Sequence, residues 1–275
     1  MPMSQVAELR AHAHSPERWE EILARVGLVA KGVSYGLVGV LAAGVALGAG
    51  GKTTSRQGAL HELAGNGFGK FVLILLVLGF AAYALWRIVQ AVRTHEDGAA
   101  KKWAKRAAYL GRAAIYLSLA YSAAKIVAGA GGSSSSNGKT HKATAVVLSW
   151  PGGTWLVGIA GVVIVGVGVW NLYRGLSRKF EDKWVSGRSD TAQRWGGRAG
   201  VVGHVARFVV FALVGVFAVK AAVDFNPKDA VSLDGALQKL AHQSYGSALL
   251  GLTAAGLVAY AVYCFVDARY RDCTD

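Results

Sequence analysis

Six apolar stretches, each about as long as a membrane-spanning helix, dominate the sequence. A helix needs about 20 mostly apolar residues to cross the hydrocarbon core of a bilayer. The predicted spans are residues 26–48, 68–92, 107–130, 152–173, 200–223 and 245–266. The fifth span is the weakest, because Arg207 and Lys220 bracket its uncharged run. We therefore expect an all-α membrane protein with six transmembrane helices.

The basic residues are divided unequally between the two sides of these spans. Of the 30 lysines and arginines, 21 flank the N-terminus, the second and fourth connections and the C-terminus, and 8 flank the opposite ends. Cytoplasmic loops carry the excess of lysine and arginine in membrane proteins. The sequence therefore predicts a multi-pass protein of the cytoplasmic (inner) membrane with both termini in the cytoplasm. The formal charge of +14 then reflects topology and contact with anionic lipid, and no nucleic-acid partner is expected.

The chain repeats one two-helix unit three times. The first helix of each unit carries two basic groups and an aromatic ring, which we align as Arg25, Lys31 and Tyr35; Arg106, Arg112 and Tyr116; and Arg198, His204 and Phe208. The second helix carries a glycine and an aromatic ring, at Gly69 and Trp86, Gly153 and Trp170, and Gly246 and Tyr263. Between the two helices, an outer segment with Gly58-Ala59-Leu60 recurs as Gly235-Ala236-Leu237, which predicts a short amphipathic helix.

These repeats set the domain boundaries and the expected architecture. Residues 1–19 form a cytoplasmic N-terminal tail, and the repeats cover residues 20–93, 101–179 and 195–271. Because each unit crosses the membrane twice, all three enter from the same side. Parallel repeats of this kind are related by an axis along the membrane normal. We expect three two-helix repeats around a pseudo-threefold axis.

At four motifs the chain resembles a known bacterial family. They are the entry at Ala24, Arg25, Gly27, Ala30, Gly32, Tyr35 and Gly39, the outer Gly-Ala-Leu segment, the exit at 79–87 and the closing run at 267–271. The sequence is similar to mostly actinobacterial integral membrane proteins with three copies of a two-helix domain of unknown function. The middle copy departs most, since Val163 stands in place of Gly79. The resemblance implies the architecture and supplies no activity.

Two candidate binding features stand out among the charged residues. Lys31, Arg112 and His204 occupy aligned positions about one turn inside the cytoplasmic boundary, and a ring of basic groups there could bind anionic lipid headgroups or a small anion. Each could instead extend independently to the interface as an anchor. Lys125 lies inside the third span and is a candidate intramembrane charge, either reaching the outer interface or facing a polar cavity.

Catalytic, metal and cofactor motifs are not recognised in the sequence. His61, His141 and His242 lie in predicted outer loops but lack a metal-site spacing. No cofactor, metal or catalytic group is therefore expected.

Two functions from different classes remain open. The preferred one is a non-enzymatic accessory or scaffold protein that binds membrane lipid or a membrane protein partner. The alternative is a small-solute transporter or channel with its path along the pseudo-threefold axis. Transporters usually interrupt helices near the midplane with Gly or Pro, and the only proline near a span is Pro151.

Overall fold

The computed structural model describes residues 18–48, 67–94, 98–129, 136–184 and 190–271, and this part of the chain is almost entirely helical. Its eight α-helices are α1 (Arg18–Ala46), α2 (Gly67–Arg93), α3 (Ala99–Val127), α4 (Ser136–Leu148), α5 (Gly153–Leu176), α6 (Asp190–Val223), α7 (Leu233–Ala241) and α8 (Gly246–Tyr270). Single turns of 3-10 helix lie at Glu181–Lys183 and Pro227–Asp229. Helices suit a membrane because they satisfy every backbone hydrogen bond internally.

Five of these helices are long and apolar enough to cross a membrane, as expected of a membrane protein. The qualifying segments are Glu21–Ala46, Lys70–Arg93, Gly153–Leu176, Gln193–Val223 and Gly246–Tyr270. They correspond to five of the six predicted spans. The third predicted span falls on α3, which is 29 residues long but less apolar, because lysines and arginines crowd its first turns and two more lie further along, at Arg112 and Lys125.

The long helices pack in a regular order. The second helix of each repeat lies against the first helix of the next, so that α2 packs on α3, α5 on α6, and α8 on α1. Within a repeat, α1 packs on α2 and α6 packs on α8. Among the described residues, α3 and α5 of the middle repeat form no comparable pair.

Glycines make the closest contacts within the first and third repeats. A Cβ atom added to Gly79 of α2 would lie 2.3 Å from the Cβ atom of Ala30 in α1. A Cβ atom on Gly256 of α8 would lie 2.4 Å from the Cβ atom of Ala206 in α6. Real Cβ atoms do not approach so closely, so both crossings require glycine. Small residues at such positions let the backbones of two membrane helices approach closely. The resulting van der Waals contacts stabilise the helix pair.

The predicted outer amphipathic helix of the third repeat is confirmed as α7. Its Leu237 is buried in a cluster with residues of α1, α6 and α8, including Val38, Val210 and Leu250. The hydroxyl oxygen of Ser232 accepts a hydrogen bond from the N–H of Gly235 and caps the helix. The matching segment of the first repeat, Gly58-Ala59-Leu60, lies outside the described residues.

The helix α4 of the middle repeat is linked to α7. The side-chain oxygen of Asn137 in α4 accepts a hydrogen bond of 2.9 Å from the backbone N–H of Ser232. A Cβ atom on Gly235 would lie 2.4 Å from that same oxygen. This contact therefore ties the second repeat to the third at the end of the bundle where α4 and α7 lie.

Substituting Gly256 with Ala should destabilise the protein. The new methyl group would overlap Ala206 and force α6 and α8 apart, at a cost of about 1–3 kcal/mol for overpacking. Gly166→Ala in α5 is the matched control, because a Cβ atom there would meet nothing within 4 Å. Thermal unfolding of the purified protein in a mild detergent measures the difference. Equal midpoints for the two variants would contradict the close crossing.

Candidate functional site: the tyrosine–cation cluster

The two glycine–alanine crossings fix the register of the third repeat against the first. Ala30 directly precedes Lys31 in α1, and Ala206 directly precedes Arg207 in α6. The counterpart of Lys31 is therefore Arg207 and not His204. The alignment of the third repeat given above is wrong by three residues, because it followed the spacing of basic side chains instead of the residues at the crossing.

A second pair of contacts gives the same register. A Cβ atom on Gly27 would lie 2.5 Å from the Cβ atom of Tyr83, and one on Gly203 would lie 2.6 Å from the Cβ atom of Tyr260. Gly27 and Gly203 are separated by 176 residues, as are Ala30 and Ala206. The equivalent basic positions are thus Lys31, Arg112 and Arg207.

Lys31 and Arg207 meet at the ring of Tyr260. The Nζ atom of Lys31 lies 5.1 Å from the ring centroid, and the guanidinium carbon of Arg207 lies 4.6 Å from it. Arg207 also donates a hydrogen bond of 2.5 Å to the Tyr260 hydroxyl oxygen. The Tyr35 ring packs edge-on against Tyr260 at 4.8 Å, and Arg207 lies 5.4 Å from its centroid. Two cations from different repeats therefore share the Tyr260 ring, and Arg207 also contacts the Tyr35 ring.

Arg87 forms a similar arrangement near the C-terminal end of α2. It is buried, and it donates hydrogen bonds to the hydroxyl oxygen of Tyr83 and to the side-chain oxygen of Gln90. Its guanidinium carbon lies 4.3 Å from the ring of Trp86. Tyr83 in turn packs on Tyr116 of α3, with centroids 4.4 Å apart. The contact joins the first repeat to the second.

These residues form one group, which we name the tyrosine–cation cluster. Its members are the cations Lys31, Arg87 and Arg207 and the rings Tyr35, Tyr83, Tyr116 and Tyr260. They come from α1, α2, α3, α6 and α8, and therefore from all three repeats.

The positive charge of this cluster is not balanced by carboxylates. Within the described ranges, Lys31, Arg87 and Arg207 form no ion pair. The Nε atoms of Arg87 and Arg207 are buried without a hydrogen-bond partner there. Lys31 and Arg207 nevertheless keep part of their surface exposed. An anionic oxygen that reached these side chains would gain charge-assisted hydrogen bonds, which are stronger than neutral ones.

Arg112 stacks on none of the cluster's rings in the described part of the chain, although Arg87 and Tyr83 of the cluster act on it electrostatically. It is exposed on α3, where the charges of Arg87 and Arg174 and the Tyr109 ring act on it. The structure therefore brings two of the three equivalent basic residues onto one ring and leaves the third on the exposed face of the middle repeat. A role for Arg112 in binding an anion stays a prediction.

His204 is buried among aromatic rings. It stacks on Phe180 with centroids 5.1 Å apart, and it contacts Tyr260 and Tyr263 edge-on. Its Nδ1 atom donates a hydrogen bond of 2.7 Å to the backbone oxygen of Gly200. This packing fixes the connection between α5 and α6 against α8. The predicted binding of an anion by His204 stays a prediction, and its surroundings favour a packing role.

The acidic residue of the closing motif has a structural task. Asp267 accepts a hydrogen bond of 2.9 Å from Trp184 Nε1 and forms a 2.7 Å ion pair with Arg271. A backbone bridge also joins Trp184 to Arg271. These contacts hold the end of α8 to the connection after α5, which explains why the sequence needs both charges here.

Lys125 lies in the last turn of α3, where a cation interacts favourably with the helix dipole. It is exposed, and its Nζ atom lies 5.0 Å from the Tyr121 ring. In the corrected register its counterpart is Lys220 of α6, which pairs with Asp224 and Asp229 at 2.6 and 3.1 Å. The placement favours the account in which Lys125 reaches the outer interface. Its role as a functional charge stays a prediction.

The other singled-out residues form no site in the described part of the chain. His61 lies outside it, and no group of three or more His, Cys, Asp or Glu residues there could hold a metal ion. His242 is exposed, with its Nδ1 atom 2.7 Å from the backbone oxygen of Gln238. Cys264 is buried as a free thiol.

Sequence reasoning found Tyr35 and Tyr116 as recurring rings but missed the other two tyrosines of the cluster and the possible binding role of Arg207. Arg207 was interpreted as a flanking charge of the fifth span, and Tyr83 and Tyr260 were not singled out. The signal was present in the shared pattern Gly-x-x-Ala followed by a basic residue, at 27–31 and 203–207.

Comparison with known proteins agrees with this organisation. Three segments match the model for a Domain of Unknown Function, DUF1206, at residues 26–94, 107–178 and 202–271. The first and third segments start 176 residues apart, which is the register of the helix crossings. The uncharacterized protein YxxB of Bacillus subtilis (strain 168) is 30% identical over 264 residues, 93% of each chain. No protein of known structure gives a significant match.

The expectation that the relatives are mostly actinobacterial stays a prediction, since this relative comes from a Bacillus. The bacterial origin of the resemblance and its three repeats are confirmed. With three matched segments and a relative similar over nearly its whole length, the chain belongs to the DUF1206 family.

Proposed function

We propose that this protein is a non-enzymatic accessory or scaffold protein of the cytoplasmic membrane that binds an anionic lipid headgroup at the tyrosine–cation cluster. A membrane protein partner would dock on the lipid-facing surface of the same bundle. The observation that carries the proposal is the set of cations in the bundle interior without carboxylate partners in the described part of the chain.

The cluster is suited to one anionic group. A buried cation is costly unless it is paired. Cation–π contacts with Tyr35 and Tyr260 offset part of that cost, but neutral rings leave the net charge in place. Lys31 and Arg207 are half-buried residues, and a phosphate or carboxylate oxygen that reached their charged groups would balance that charge. Anionic headgroups on the cytoplasmic side are the most abundant ligands with this chemistry.

Six membrane helices around a pseudo-threefold axis form the proposed scaffold. Support comes from equivalent contacts between successive repeats. A Cβ atom on Gly39 of α1 would lie 2.8 Å from Val258 of α8, and one on Gly215 of α6 would lie 2.6 Å from Val165 of α5. The order of packing, from α2 to α3, α5 to α6 and α8 back to α1, agrees with a ring of repeats.

The transport alternative has less support. Pairs of tyrosine rings, Tyr35 with Tyr260 and Tyr83 with Tyr116, pack between helices around Lys31, where a solute path would need a polar lining. The membrane helices of the described chain also run without internal proline.

Replacing Arg207 with Gln should weaken retention of anionic lipid. A charge-assisted hydrogen bond contributes about 1.5–3 kcal/mol, so we expect about tenfold lower retention of phosphatidylglycerol, and Lys31→Gln should act in the same direction. Arg194→Gln is the matched control, because Arg194 lies exposed on the same helix α6. Native mass spectrometry of protein purified in mild detergent measures the bound lipid. Retention by Arg207→Gln equal to that of the control would overturn the proposal.

The proposed topology places the C-terminal tail in the cytoplasm. In intact cells a membrane-impermeant maleimide should then leave Cys273 unlabelled, and should label it once the cells are permeabilised. A Cys273→Ser chain that carries Lys228→Cys is the positive control, since Lys228 is exposed in the predicted outer loop before α7. Labelling of Cys273 in intact cells would refute the orientation.

A further inference from the structure

The middle repeat has an open space where the other two repeats have a helix pair. In the first and third repeats the two long helices pack on each other, whereas α3 and α5 do not form such a pair among the described residues. We name this space the α3–α5 gap. Both helices are described over their full length, so the gap is not a consequence of missing helix residues.

The residues at the crossing point differ in the middle repeat. The first and third repeats have glycine opposite alanine, at Gly79 and Gly256. The equivalent position of α5 is Val163, which is exposed. The branched side chain of valine is larger than the glycine that makes the close crossing in the other two repeats. On the other side of the gap, Gly111 of α3 stands where Ala30 is in α1, and a Cβ atom there would meet nothing within 4 Å.

The face of α5 toward the gap is uncovered. Trp170 is 58% exposed, whereas its counterparts Trp86 and Tyr263 are 3% and 2% exposed. This is a large difference for one repeat position. An aromatic ring that is buried in two repeats is therefore free to contact another molecule in the third.

One helical turn earlier in α5 the same contrast recurs. Val167 is 44% exposed, and the equivalent tyrosines, Tyr83 and Tyr260, are 2% and 1% exposed. Val163, Val167 and Trp170 follow one another along a single helix face. The gap therefore presents an apolar strip that runs along the proposed membrane-spanning direction.

Basic residues lie at the inner end of this strip. Arg174 follows Trp170 by one turn on α5, and Arg112 is exposed on α3. The charges of Arg87 and Arg174 both act on Arg112. None of the three forms an ion pair within the described ranges. The gap thus combines an apolar strip in the membrane with a positive end at the inner surface.

We infer that the α3–α5 gap binds one anionic phospholipid, with an acyl chain along Val163, Val167 and Trp170 and the headgroup phosphate on Arg112 and Arg174. This inference rests on the proposed membrane topology and adds a second lipid site to the one proposed at the tyrosine–cation cluster. A phospholipid fits because it alone among the expected ligands has an apolar chain and an anionic head in one molecule. Lipid also surrounds the gap in a bilayer, so it needs no route through water.

Filling the strip tests the inference. Val167→Trp would occupy the space of an acyl chain, and we expect about tenfold lower retention of phosphatidylglycerol, equivalent to losing two buried CH₂ groups. Val169→Trp is the matched control, because position 169 and its counterparts Leu85 and Val262 are all exposed. Native mass spectrometry compares the variants in mild detergent with added phosphatidylglycerol or phosphatidylcholine. Equal retention by Val167→Trp and Val169→Trp would overturn the inference.

A second variant tests the headgroup contact. Arg112→Gln should lower retention of phosphatidylglycerol and leave that of phosphatidylcholine within about twofold, since only the former carries a net negative charge. Both variants change exposed side chains, and their unfolding midpoints are measured alongside. If inorganic phosphate displaces phosphatidylglycerol from the wild-type protein as well as added lipid does, the ligand is a soluble anion and the inference fails.

Comparison with Arg207→Gln separates this inference from the broader proposal. If Arg207→Gln lowers lipid retention and the two gap variants do not, the gap is not the site and the cluster alone binds lipid. If the gap variants alone lower retention, the gap is supported and the cluster is not. If Val167→Trp changes the oligomeric mass but not the bound lipid, a second copy of the chain covers the gap and the inference is wrong.

Discussion

The close approach of glycine to alanine between paired helices determines most of this structure. In a bilayer the lipid chains are as apolar as leucine, so membrane helices associate through tight packing and hydrogen bonds. The contacts of Gly79 with Ala30 and of Gly256 with Ala206 supply that packing in two repeats. They also set how each helix is rotated about its axis, and therefore which side chains enter the bundle.

The position of the cations follows from the same contacts. Successive residues of a helix are separated by about 100° around its axis. Because Ala30 and Ala206 are held at the crossings, Lys31 and Arg207 lie beside them and not on the opposite, lipid-facing side. There they reach Tyr260, which comes from the second helix of the third repeat. A basic side chain at this position lies among tyrosine rings, and the proposed anionic ligand would balance its charge.

The sequence predicted the spans and the repeats well, because both leave a strong signal in composition. Apolar length predicted six spans, five of which are helices long and apolar enough to cross a membrane, and the recurring glycines and aromatic rings located three units. The sequence-based alignment of the third repeat was wrong. It matched single basic side chains and therefore aligned His204, instead of Arg207, with Lys31. Lys31 and Arg207 are different residue types, but each directly follows the alanine of an equivalent helix crossing. The packing partners, Gly79 and Gly256, show which residues are equivalent, and the Gly-x-x-Ala pattern before each basic residue agrees with them.

The departures of the middle repeat also have a physical meaning that the sequence indicates only in part. The sequence shows that Val163 replaces the glycine of the other two repeats. The effect of this replacement depends on the opposite helix, where a Cβ atom on Gly111 would contact nothing within 4 Å. In the middle repeat the branched residue and the glycine lie on two helices that form no close pair among the described residues. The α2–α3 and α5–α6 pairs remain close-packed on either side of the α3–α5 gap. The two helices of the middle repeat therefore do not pack on each other, but each packs on a helix of a neighbouring repeat. The bundle is open at this one place and remains packed elsewhere.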